Sequence, residues 1–70
     1  MEVNVERLKT LRQLRAMSQQ ELADASGVGR ATISRIERRE TGAQGRTLRR
    51  LANALGVGVE ELVRIEGDDA

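Results

Sequence analysis

Among side chains able to do chemistry, arginine dominates this sequence, while histidine and cysteine are missing. Seven arginines fall between positions 28 and 50 (Arg30, Arg35, Arg38, Arg39, Arg46, Arg49, Arg50), against only Glu37 and Glu40. Residues 1–27 are balanced, and residues 51–70 set Arg64 against Glu60, Glu61, Glu66, Asp68 and Asp69. A formal charge of +1 over 70 residues therefore conceals a basic centre followed by an acidic end. Guanidinium groups gathered in this way suit nucleic-acid phosphates, to which they offer charge and paired donors. The same cluster also fits a solvated arginine-rich face, so charge alone leaves both readings open.

Catalysis finds little material. Without His or Cys, an active site would have to be assembled from carboxylates, Lys9 and serines. Most of the acids fall at expected helix starts or on solvent faces, where capping and solvation account for them. Gly27-Val28-Gly29 lacks the following Gly or Lys of a phosphate-cradling loop. Neither an enzyme, a metal site, a cofactor nor a small-molecule ligand is expected. The chain has no Phe, Tyr or Trp on which unpaired bases could stack, which argues against a single-stranded RNA module. Its apolar runs fall far short of the roughly 20 residues of a membrane span. Its N-terminus has no apolar stretch of the secretory kind, so the cytoplasm is the expected compartment.

The elements that position these arginines read as helices. One domain is expected over 1–66, with a short acidic tail at 67–70. Its core must come from Leu, Ile, Val, Met and Ala. Spacing predicts a first helix over about Val5 to Arg15, with Leu8, Leu11 and Arg12 or Arg15 on one stripe. A second opens at Ser18, where Glu21 completes a capping box and Met17 and Leu22 form a hydrophobic staple. It carries Leu22 and Ala25 and stops at Ser26-Gly27. After a tight turn, a third runs from Arg30 to about Arg39, with Ile33 and Ile36 inward and Arg30, Ala31, Ser34, Arg35 and Arg38 outward. A fourth, about Thr47 to Leu55, buries Leu48, Leu51, Ala52 and Leu55. A fifth is expected over about Val59 to Ile65.

The informative unit is Ser18 to Glu37, two short helices joined by a glycine turn. Ala23 is small where helices must cross closely, Gly27 permits the reversal, and Ile33 anchors the second helix. A helix pushed outward in this way fits a DNA major groove.

Four stretches carry a resemblance: Leu8-x-x-Leu11-Arg12, Ser18-Gln19-Gln20-Glu21-Leu22-Ala23, Ile33-Ser34-Arg35-Ile36-Glu37 and Leu51-Ala52-x-Ala54-Leu55-Gly56-Val57. Over about residues 6–63 the chain resembles the phage repressor and Cro-like helix-turn-helix family, also called the xenobiotic-response-element family. The resemblance implies an all-α, compact five-helix bundle of the lambda-repressor-like type. It also implies a sequence-specific regulator of double-stranded DNA, a repressor, of bacterial or phage origin. Arg30, Ala31, Ser34 and Arg35 are then the base readers: arginine can pair twice with guanine, and Ala31 can touch a thymine methyl. Gln19 resembles the family's phosphate clamp at a helix N-terminus. Thr32, Arg38, Arg39, Thr41 and Arg46 are placed for phosphates.

Arg12 and Glu37 match positions that form an ion pair below the DNA face, a structural role. Family members usually pair through the C-terminal end, which makes Val59, Leu62, Val63 and Ile65 the expected homodimer contacts; the competing reading lets Val59, Leu62 and Ile65 cap the monomer core. Arg39, Ala43-Gln44 and Gly45 depart from the family pattern, which has a glycine, then Pro-Ser, then an apolar residue. The rival function is a protein-interaction module of the same fold, such as an antitoxin or coactivator-like adaptor.

Overall fold

The computed structural model describes residues 2–64. Four α-helices follow one another: α1 (Val5–Leu14), α2 (Gln19–Ser26), α3 (Arg30–Glu37) and α4 (Gly45–Leu55), then a single 3₁₀ turn, Val59–Glu61. Several starts and stops have a local cause. Asn4 caps α1 by accepting from the Arg7 amide at 3.1 Å. Ser18 and Glu21 exchange both bonds of the capping box at 3.0 and 2.8 Å. Gly27 and Gly56 end α2 and α4 at φ +75° and +73°, a left-handed conformation that costs glycine nothing.

Leu8, Leu22, Ile33, Ile36, Leu48, Leu51, Leu55 and Leu62 are the large, fully buried side chains, so every helix contributes to one aliphatic core. Met17, ahead of the Ser18 cap, packs against that core. The helix α2 lies against both α3 and α4, and α1 lies against α3. Being braced on two sides explains why α2 buries Leu22 and Ala23, while Ala25, expected inward, is exposed.

The C-terminal end differs from the five-helix expectation. In place of a helix reaching Ile65 there is one 3₁₀ turn, because the backbone beyond it pairs elsewhere. The Asn4 amide donates to the Leu62 carbonyl and the Arg64 amide to the Glu2 carbonyl, both at 2.9 Å, on either side of an antiparallel bridge between Val3 and Val63. Arg7 adds an ion pair to Glu61 at 2.7 Å. This clasp ties the two ends of the described chain together and buries Val3 and Val5. Nothing in the sequence reading anticipated it.

Smaller differences follow from backbone bonding. The Gln44 carbonyl accepts from the Leu48 amide at 3.0 Å, so α4 begins at Gly45 rather than near Thr47. Ala43 packs on the core in the loop that lacks the family's proline. The helices α1 and α3 end with Ala16 and Arg39 in left-handed conformations, at φ +54° and +63°. Both turns close by a six-residue bond, Met17 amide to Arg12 carbonyl and Glu40 amide to Arg35 carbonyl.

Candidate nucleic-acid interface

The third helix is two-faced. Ile33 and Ile36 have no exposed surface and Glu37 is 7% exposed, which pins one side against α1 and α2. Arg30, Ala31, Thr32 and Arg35 are exposed on the other side, and Ser34 is half-buried between the two. Gly29, at the N-cap, places no side-chain acceptor on the first turn. No carboxylate lies within four residues before Arg30, so its end of the helix keeps its positive character. Charge, free guanidinium donors and an unobstructed ridge thus coincide on one helix. That arrangement can enter a DNA major groove and present paired donors to base edges.

Beyond the helix, Arg38 and Arg39 are exposed, and each faces a carboxylate. Arg38 Nε lies 3.2 Å from Glu40 Oε2, and an Arg39 guanidinium nitrogen lies 3.4 Å from Glu6 Oε2. Thr41 is exposed on the loop and Arg46 on the first turn of α4.

Beneath this surface lies a polar cluster. Arg12 donates to both oxygens of Glu37, at 2.8 and 3.0 Å, and to the Met17 carbonyl at 2.8 Å. The Gln19 amide donates to Glu37 Oε1 at 3.0 Å. Burial pushes the Glu37 carboxyl up. The hydrogen bonds from Arg12 and Gln19 and the charges of Arg12 and Lys9 outweigh it, leaving the carboxyl below its ordinary 4.5. The cluster joins α1, the start of α2 and the last turn of α3, and so sets how far α3 stands from the core. Gln19 is half-buried, with one amide hydrogen committed to Glu37. The remaining amide hydrogen is the donor it can offer a phosphate, which only accepts.

The HTH_3 helix-turn-helix family model matches residues 8–62, which take in all of this geometry except the start of α1. The chain belongs to this helix-turn-helix family. A further comparison finds 35% identity over 66 residues with Control protein C.SmaI of Serratia marcescens, covering 94% of this chain and 79% of that protein. Among solved structures, the restriction-modification controller protein C.AhdI from Aeromonas hydrophila matches with a TM-score of 0.78 and 32% identity, over 81% of this chain and 86% of that one. An HTH_3 family transcriptional regulator from Vibrio cholerae has the same TM-score and identity over 81% of this chain, but only 32% of its own length. Two of these relatives are thus named as control or controller proteins and the third as a transcriptional regulator.

The helix-turn-helix chain does not bring all the expected dimer residues to the surface. Leu62 is fully buried in the chain's own core, where its carbonyl also anchors Asn4. It therefore has no face to offer a second copy. Val59 and Val63 are half-buried, with part of each side chain still open. Ile65 lies outside the described residues. Sequence reasoning also missed Arg7, Asn4 and Val3, which hold the C-terminal segment. The one available signal was Asn4 itself, a good cap residue just ahead of Val5.

Proposed function

We propose that this helix-turn-helix protein is a transcriptional regulator of the small controller type that reads double-stranded DNA with α3. The observation that carries the reading is the division of α3 into a face locked by Ile33, Ile36 and Glu37 and a face that exposes Arg30, Ala31 and Arg35. Arg30 and Arg35 pair with guanine edges, while Ala31 and Ser34 make the shorter contacts. Gln19, Thr32, Arg38, Arg39, Thr41 and Arg46 hold phosphates and fix register without reading sequence. The two relatives matched over most of their own lengths carry the names of controller proteins. A repressor of this type acts in the cytoplasm by occupying a site that overlaps a promoter.

Two copies acting together are part of the proposal. Val59 and Val63 leave apolar surface beside the 3₁₀ turn, and pairing there would set two α3 helices on one side of the duplex. Half-sites would then lie about 10–10.5 bp apart, one helical turn.

The test is selection of bound duplexes from a random DNA pool. An enriched inverted repeat supports both parts of the proposal. A single enriched half-site retains the reader and removes the dimer. Absence of enrichment, with only salt-sensitive binding, would overturn site-specific reading.

A further inference from the structure

The two arginines that follow α3 are not free in the unbound protein. Arg38 is held by Glu40 through two contacts, Nε to Oε2 at 3.2 Å and a terminal nitrogen to Oε1 at 3.3 Å. Arg39 reaches Glu6 across to α1 at 3.4 Å. By contrast, Arg30, Arg35, Arg46, Arg49 and Arg50 have no ion pair among the described residues.

The position of Glu40 is built by the backbone. Arg39 adopts a left-handed conformation at φ +63°, which disfavours any residue with a β-carbon. The reversal folds the chain back so that the Glu40 amide donates to the Arg35 carbonyl at 2.9 Å, one turn back along α3. That bond fixes Glu40 beside the end of the helix and leaves its carboxylate against Arg38. The local turn carries some conformational strain, and its product is an acid set among arginines that face the DNA.

We propose that Glu40 is an affinity-setting residue: it engages one edge of the Arg38 guanidinium in the free protein and competes with a phosphate for it. The proposal rests on α3 being the DNA-facing helix. An exposed ion pair has a modest energy, so the guard lowers affinity by a small factor rather than blocking binding. Its more characteristic effect is on salt dependence. A guanidinium that exchanges a carboxylate for a phosphate releases less of the counterion atmosphere per unit of binding than one that starts free. Glu40 therefore damps sequence-independent attraction while leaving Arg30 and Arg35 to discriminate bases. Glu6 stands in the same relation to Arg39, at longer distance and greater exposure.

The experiment is a double-mutant cycle with Glu40→Gln and Arg38→Gln, read by fluorescence anisotropy on a short mixed-sequence DNA duplex over a range of KCl. Glu40→Gln should tighten binding about threefold and steepen the salt dependence in the wild-type background. In the Arg38→Gln background the same change should do nearly nothing. An equal gain in both backgrounds would show only the removal of a negative charge from the surface, and would overturn the guard while sparing the DNA-binding reading. If wild type fails to bind the duplex at low salt, the DNA-facing role of α3 falls and the guard falls with it. Circular dichroism of each variant checks that the fold is retained.

Discussion

Removing the Glu37 carboxylate should destabilise this domain strongly, although the residue lies on the helix that carries the exposed arginines. The side chains of Arg12 and Glu37 are 12% and 4% exposed. Glu37→Ala leaves the Arg12 guanidinium with only the Met17 carbonyl and strands the Gln19 amide. Breaking a buried pair from one side costs about 3–5 kcal/mol, and the residual exposure of Arg12 favours the lower figure. A domain of 70 residues has on the order of 4–10 kcal/mol in all, so about a third to three quarters of its stability is at stake. In thermal unfolding, a loss near 3 kcal/mol corresponds to roughly 12–24 °C in a chain of this size. Urea unfolding followed by far-UV circular dichroism gives the difference directly. A loss below about 1 kcal/mol, with the denaturant slope unchanged, would refute the reasoning and reduce the pair to an ordinary surface contact.

The pH dependence gives a second reading of the same pair. The folded carboxyl lies below its ordinary 4.5, so its contribution is present above that value and is lost as pH falls through the folded pKa. Wild type should lose this portion of its stability below about pH 4.5, and Glu37→Gln should show a shallower decline there. The double change Arg12→Met with Glu37→Leu should recover much of what Glu37→Ala loses, because an apolar pair of similar volume removes the desolvation cost.

Other outcomes follow from particular residues. Ala16→Gly relieves a left-handed alanine and should raise stability by about 0.5–1 kcal/mol in urea unfolding. Gly27→Ala places a β-carbon in open space but at φ +75°, so it should cost about 1 kcal/mol from backbone strain alone. Arg30→Ala and Arg35→Ala should each weaken binding to the selected operator by about 1–3 kcal/mol and relax preference at one base position, with the melting temperature unchanged. Arg39→Gly should stabilise the fold yet weaken DNA binding, with a salt slope shallower by less than about one unit because Arg39 starts paired with Glu6. Val63→Asp should leave sedimentation of the protein at the monomer mass, 7.7 kDa, if Val63 lies in the dimer contact.

The helical elements were legible because their signals act over a few residues. Ser18 and Glu21 close a capping box between neighbours on one turn, and Gly27 and Gly56 supply conformations that other residues resist. Leu48, Leu51, Ala52 and Leu55 recur at helical spacing, so their shared face needs no partner to be recognised. The clustering of arginine between positions 28 and 50 is equally plain, but it fits a solvated face as well as a polyanion until the helix-turn-helix spacing is read beside it.

What the sequence could not determine depends on residues far apart meeting. Ala23 was legible as the small residue at the helix crossing, but that Ala25 stays exposed follows from packing on two sides at once, by α3 and α4. Leu62 reads equally well as a dimer contact or a core residue until Asn4 is seen to bind its carbonyl. The bridge from Val3 to Val63 is too short to leave a strand periodicity, and it ends the last helix after one 3₁₀ turn. Arg38 was visible as a cation, but its engagement with Glu40 required the left-handed turn at Arg39 that folds the chain back. Local hydrogen bonds and side-chain periodicity belong to the sequence by itself. Burial and the pairing of charges belong to the fold, because each is settled by which distant surfaces exclude water from one another.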